Sequence, residues 1–289
     1  MMNRIGVCCL ILGDEGTKFK TLQLKRTQAE SNPKQKIFDV YRHNLGELVK
    51  ALKYLTKEKI WMYRISSDMF PLADHEEFEH YWKEFCDKDY LWLEARESVQ
   101  NYLRDGGRLS THPDQFCVIS SNNEEVNKKG IKNLEYHAKM FDMLHIPQNF
   151  FCPINIHISN GKLGEIAAHN AIRNFALLSH SVTSRLVFEN EDKSFWQYQN
   201  IAKYFPNVPI TLDYHHWWIN GEGSEEEAHD FCVSTWKGIT PLFHYSEGKD
   251  HALDRAHSDY VSSLPNYKNV DIELEAKQKN LAVLRMRVA

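Results

Sequence analysis

The stretch PINIHISNGKLGEIAAHNAIRNFALLSHSVTSRLVFE, Pro153 to Glu189, reads as strand, helix, strand. Pro153–Ile158 is a short run rich in isoleucine, suited to a buried strand. Leu163–His180 repeats apolar residues at helical spacing, and Arg185–Glu189 is a second short apolar run. Neighbouring parallel strands need such a crossover helix between them. Toward the N-terminus the unit recurs. Arg4–Ile11 (RIGVCCLI), Ile60–Ser66 (IWMYRIS) and Arg108–His112 read as strands. Between them lie a helix over Phe38–Leu55, one or two helices within His75–Asp105, and, after the third strand, a long helix over Asn123–Leu144. Toward the C-terminus come a helix over Trp196–Tyr204 and a strand at Pro209–Asp213. A helix opened by a Ser224/Glu227 capping box then runs to Lys237. Strands at Pro241–Tyr245 and Val270–Glu275 and a last helix from Lys277 complete the pattern. Eight strands alternating with helices at about 30 residues per unit predict an α/β chain forming one (β/α)8 TIM barrel. A doubly wound sheet is the rival, but no GxGxxG follows the first strand. No break in composition marks a linker, so residues 1–289 are expected to form a single TIM-barrel domain.

Composition excludes several classes. With 42% hydrophobic and 12% aromatic residues the chain is not mainly disordered. No apolar run approaches the roughly 18 residues of a membrane span. The N-terminal MMNRIGVCCLILGDE lacks a small-residue cleavage site and reads as a strand rather than a signal peptide. The six cysteines include no CxxC pair, which argues against a disulfide framework or a zinc–thiolate site and for a reducing cytoplasm. A net charge of −4 argues against coating nucleic acid through bulk charge, while leaving room for a local metal centre. The unusual count is histidine, at 15.

In a barrel the chemistry gathers at the C-terminal ends of the strands. At or just after those ends stand His112, His157, Glu189, Asp213, His216, His244, His257 and Glu275. Each alone has a structural reading. A strand-end histidine is usually hydrogen-bonded, Glu189 and Asp213 could cap helices, and Glu275 could close a salt bridge. Asp271 and Glu273 share the face of Glu275, and pattern does not choose among the three. Convergence changes the reading, because so many imidazoles and carboxylates in one mouth need cations. Mixed His/Asp/Glu ligation suits Zn²⁺ or Mn²⁺, and this many ligands imply two or three ions. Several ions close together are a device for phosphoryl displacement. Arg64 shares an inward face with Ser66 and could meet phosphate or a buried carboxylate. Lys128 and Lys129 read as a solvated helix face, and Trp217 and Trp218 as loop packing.

Several motifs then resemble one family along nearly the whole chain, in order. They are YRISS (Tyr63–Ser67), HPDQF (His112–Phe116), NIHISN (Asn155–Asn160), VFENED (Val187–Asp192), LDYHHWW (Leu212–Trp218), FHYS (Phe243–Ser246), AHSDYV (Ala256–Val261) and LEAKQK (Leu274–Lys279). They resemble the UV damage endonucleases and, more distantly, endonuclease IV and the xylose-isomerase-like barrels. The resemblance implies a DNA repair enzyme that nicks one strand immediately 5′ to a UV photoproduct in damaged double-stranded DNA. It implies two to three divalent ions, Mn²⁺ foremost, with Zn²⁺ or Mg²⁺ as alternatives. The implied metal ligands are His112, His157, Glu189, Asp213, His216, His244, His257 and Glu275, with Glu189 catalytic and bridging two ions. Gln115 and Phe116 take the place of the family's lesion-probing glutamine and tyrosine, and phenylalanine keeps the stacking face. Substrate contact at Arg64 is also expected, as is a monomer.

Two positions depart from the family. Val7 replaces a tyrosine in the first strand. Leu242 replaces a lysine, carboxylated in relatives, two residues before His244. The rival readings are a sugar isomerase or epimerase on the same barrel, an abasic-site endonuclease, and a non-catalytic metal-storing or DNA-binding module. An aromatic wedge at the barrel mouth disfavours the sugar enzyme.

Overall fold

The computed structural model describes residues 4–193, 195–265 and 269–287. The strands are β1 (Ile5–Cys8), β2 (Met62–Ile65), β3 (Arg108–Thr111), β4 (Ile154–Ile156), β5 (Leu186–Glu189), β6 (Ile210–Thr211), β7 (Leu242–Tyr245) and β8 (Asp271–Leu274). They pair in parallel in the order β6-β5-β4-β3-β2-β1-β8-β7. The cycle closes where a parallel bridge joins Asp213 to His244 and the His244 N–H donates to the Leu212 carbonyl at 3.0 Å. This is the (β/α)8 TIM barrel that the alternation predicted. Leu109, Ile156 and Leu212 are buried, on the strand faces opposite the polar alternates.

The strands are shorter than their apolar runs. β1 stops at Cys8 because Cys9 turns into the left-handed region at φ 66°, and the Leu10 N–H folds back onto the Cys8 carbonyl. β6 stops at Thr211 because Asp213 caps a seven-residue helix, Tyr214–Asn220, which periodicity did not reveal. The region His75–Asp105 holds two α-helices, Glu79–Cys86 and Leu93–Arg104. The first long helix starts earlier than its apolar stripe, at Pro33, where the Asn32 side chain accepts the Gln35 N–H and proline fits the first turn. The Ser224/Glu227 capping box forms as expected and opens the helix Glu225–Thr235. All six cysteines are free. Among the described residues no helix is long and apolar enough to cross a membrane.

The barrel interior carries charge at its floor. Arg108 is fully buried, with Nη1 2.9 Å from Asp271 Oδ2. Its guanidinium also donates to the carbonyls of Phe151, Thr240 and Pro241. Arg4 reaches the same Asp271 carboxylate at 2.9 Å. The three carboxylates of one β8 face thus separate by height. Asp271 pairs at the floor, Glu273 sits in mid-barrel, and Glu275 follows the strand at the mouth.

Candidate active site

His112 follows β3, His157 follows β4, and Glu189 ends β5. Asp213 does two jobs. Its Oδ1 accepts the His216 N–H at 2.8 Å, capping the short helix, while its Oδ2 is buried without a hydrogen-bond partner. The cap holds His216 over the mouth. Three histidines share a second device. The Nδ1 of His112 contacts the Pro113 carbonyl at 2.7 Å, that of His216 the Asn190 carbonyl at 3.0 Å, and that of His257 the Glu275 carbonyl at 2.9 Å. A carbonyl only accepts, so Nδ1 keeps a proton, and a neutral ring presents a bare Nε2.

Glu189 is the hub, at 1% exposure. His112 Nε2 lies 3.1 Å and His244 Nδ1 3.0 Å from its Oε2. His216 Nδ1 lies 3.3 Å and His157 Nε2 3.7 Å from its Oε1. The Asn155 amide donates to Oε2. Burial pushes the Glu189 carboxyl up, but His244, His157, His112 and His216 outweigh it and hold the group well below the usual carboxylate range. Asp213 goes the other way. Burial, with Glu189 and Glu275 adding to it and His216 opposing, pushes it up to about 6. Burial pulls His157 down to about 4, whereas the carboxylates Glu189 and Glu275 overcome burial and push His244 up to about 10.

Three groups of side chains each bring their donor atoms within 4.8 Å of one another: His112, Glu189 and His244; His157, Glu189 and His216; Asp213, His244 and Glu275. Glu189 belongs to two of them and His244 to two. The fit to cations shows in what the protein leaves undone. His244 Nδ1, His157 Nδ1 and Asp213 Oδ2 are all buried without a hydrogen-bond partner. An unpaired buried polar atom costs about 1–3 kcal/mol. Two of these three atoms, His244 Nδ1 and Asp213 Oδ2, are on side chains of a single group. The donor set of imidazole and carboxylate suits first-row divalent ions.

The family described as UV-endonuclease UvdE matches residues 3–288. The chain belongs to that family. A UV DNA damage endonuclease of Nostoc is 30% identical over 309 aligned positions, covering 98% of this chain and 89% of that protein. The crystal structure of SacUVDE superposes with a TM-score of 0.85 at 27% identity, covering 99% of this chain and 98% of that one. D-psicose 3-epimerase from Clostridium cellulolyticum shares the fold at a TM-score of 0.52 and 10% identity, covering 94% of this chain and 84% of its own.

As a UV-endonuclease barrel, the chain brings seven of the eight expected ligands into the three groups: His112, His157, Glu189, Asp213, His216, His244 and Glu275. His257 stands beside them, on a segment bridged to Gly248, with Nδ1 3.8 Å from Glu275 Oε2. Gln115 and Phe116 project from a tight turn in which Asp114 accepts the Phe116 N–H through Oδ1 at 2.7 Å and the Cys117 N–H through its carbonyl at 3.0 Å. The buried Cys117 anchors the turn, and Phe116 is 75% exposed. A cleft of about 430 Å³ beside Phe116 includes Lys128, Lys129 and Lys132 in its lining. Lys128 also pairs with Glu125 at 2.7 Å, as a solvated helix face does.

Arg64 meets buried carboxylates. Its Nη2 lies 2.5 Å from Glu273 Oε2 and its Nη1 2.5 Å from Glu275 Oε1, leaving it 7% exposed. Two carboxylates from β8 draw the guanidinium into the barrel, away from the phosphate contact expected for it. Trp218 is tied to Glu225 through its indole N–H at 2.7 Å, in keeping with loop packing. Val7 and Leu242 are fully buried, so neither offers a face to a ligand at the mouth. Sequence reasoning undervalued Asn155 and Glu273. Alternation put Asn155 on the His157 face and Glu273 on the Glu275 face, but only the closed barrel shows that they touch Glu189 and His244.

Proposed function

We propose that this chain nicks one strand of damaged duplex DNA immediately 5′ to UV photoproducts, inside the cell and as a monomer, using two to three divalent ions with Mn²⁺ the preferred one. The observation that carries this reading is Glu189, one carboxylate shared by two candidate ligand groups in the barrel mouth of a UV-endonuclease. His112, His157, Glu189, Asp213, His216, His244, His257 and Glu275 would hold the ions. Bound there, the ions would supply a water-derived nucleophile and neutralise the leaving oxygen of a phosphodiester. The protein's own groups do the rest. The carbonyls of Pro113, Asn190 and Glu275 fix the tautomers of three histidines. Asp213 positions His216 through its cap, and Glu189 spaces the donor groups. Phe116, exposed beside the mouth, inserts at a lesion where unstacking is already cheap, and Gln115 reads the exposed base edge.

Nicking assays with added Mn²⁺ on irradiated, abasic and undamaged duplexes test this. We expect cutting of the irradiated strand 5′ to the lesion, weaker cutting elsewhere, and loss of both on chelation. Cutting confined to abasic sites would replace the reading with that of an abasic-site endonuclease. No cutting of any duplex would remove it.

A further inference from the structure

Three of the mouth histidines have a backbone carbonyl on Nδ1; His244 does not. It turns its Nδ1 toward Glu189 and Glu275, at 3.0 and 3.5 Å, and its Nε2 into the barrel. Around Nε2 stand Arg64 Nη2 at 2.8 Å, Asn155 Nδ2 at 3.5 Å and Glu273 Oε2 at 3.2 Å. Arginine and the amide nitrogen only donate. Turning the Asn155 amide over would cost its bond to Glu189. Glu273 is therefore the acceptor that the described residues place at Nε2.

A neutral imidazole has one proton. For Nδ1 to bind an ion, that proton must sit on Nε2 and find an acceptor there. Were donors alone to face Nε2, the proton would move to Nδ1 and block the ligand atom. We infer that Glu273 is a positioning residue for the metal site, holding the His244 Nε2–H so that Nδ1 is bare. Its place is secured from two sides. Ser110 donates to Glu273 Oε1, and Arg64 Nε binds Oε2 at 2.5 Å. Strand pairing sets the height, since His244 of β7 lies in register with Glu273 of β8. Leu242, two residues earlier on β7, is in register with Asp271 and supplies no polar group, so the support for His244 comes from the neighbouring strand.

This inference rests on the metal-centre reading above, and the test separates the two. Zn²⁺ and Mn²⁺ binding is measured by calorimetry on the wild-type protein and on Glu273→Gln, which keeps the shape and removes the charge. Nitrogen-15 NMR of the Zn²⁺-loaded wild type reads which ring nitrogen of His244 carries the proton. We expect a protonated Nε2 and a metal-bound Nδ1, and about a 10- to 100-fold weaker affinity for one ion in Glu273→Gln, with the other ions bound as before. Ser110→Ala should show a smaller loss of the same ion. A wild type that binds no ion overturns the metal centre itself. Ion binding unchanged in Glu273→Gln, or an unprotonated Nε2 in the wild type, overturns the role of Glu273 and leaves the metal centre standing. The NMR reading needs no variant, so a Glu273→Gln chain that failed to fold would not remove the test.

Discussion

The floor and the mouth of this barrel are both buried and both charged, but they are finished differently. At the floor, Asp271 meets Arg108 and Arg4, and the remaining Arg108 donors find carbonyls. At the mouth, His244, His157 and Asp213 keep buried atoms without partners around a carboxylate crowded by four histidines. Folding alone accounts for the floor. It does not account for the mouth, where a chain selected only for stability would have paired or removed such groups. The difference marks where the protein expects something it does not itself contain.

Crossed substitutions test that contrast most strongly. Glu189→Gln should leave the fold intact and lower nicking by at least about 100-fold, beyond the usual cost of losing an outer partner of a metal ligand. Wild-type cutting rates with Mn²⁺ in that variant would overturn the assignment of Glu189. Asp271→Asn should do the opposite. It strands the buried Arg108 charge and should cost roughly 3–5 kcal/mol in denaturant unfolding, while nicking per folded molecule stays unchanged. If Asp271→Asn lost activity without losing stability, floor and mouth would not be separable.

A pH series sharpens the comparison next. Without ions, the carboxylates around His244 overcome burial to push it up to about 10, and Asp213 and Glu189 push His216 well above its ordinary range. Near neutrality both rings hold a proton that a bound ion must displace. Apparent metal affinity should therefore rise with pH, by up to about tenfold per unit for each proton displaced, and fall as the solution is acidified. Calorimetry in buffers of different ionisation enthalpy counts the protons released. No release would mean that the mouth is already deprotonated and the contrast with the floor is smaller than drawn.

The smallest expected effect lies at the rim. Gln115→Ala and Phe116→Ala should lower the preference for damaged over intact duplex by roughly tenfold, on the scale of about 1–3 kcal/mol for one stacked base, with metal content unchanged. Equal discrimination in both variants and the wild type would assign the exposed turn no part in finding lesions.

Much of the site was legible because a barrel turns strand order into spatial convergence. Once the repeat around Pro153–Glu189 indicates parallel strands with crossover helices, every residue just past a strand end faces one mouth. That logic reached His112, Glu189 and Glu275 directly. It reached Arg64 only as a choice between phosphate and carboxylate, because alternation gives the face and not the neighbour. It missed the helix Tyr214–Asn220, too short to show a period, and so missed that Asp213 is a helix cap as well as a ligand candidate.

By itself, the sequence determined the alternation, the inward face of each strand, the set of titratable groups at the strand ends and the departures at Val7 and Leu242. Only the tertiary structure decided which inward groups meet. Strand register is set by hydrogen bonds between segments far apart in the chain, such as β1 with β8, and no local pattern encodes it. That register placed Asp271, Glu273 and Glu275 at three heights. It paired the first with Arg108, set the second against Arg64 and His244, and left the third at the mouth beside Asp213.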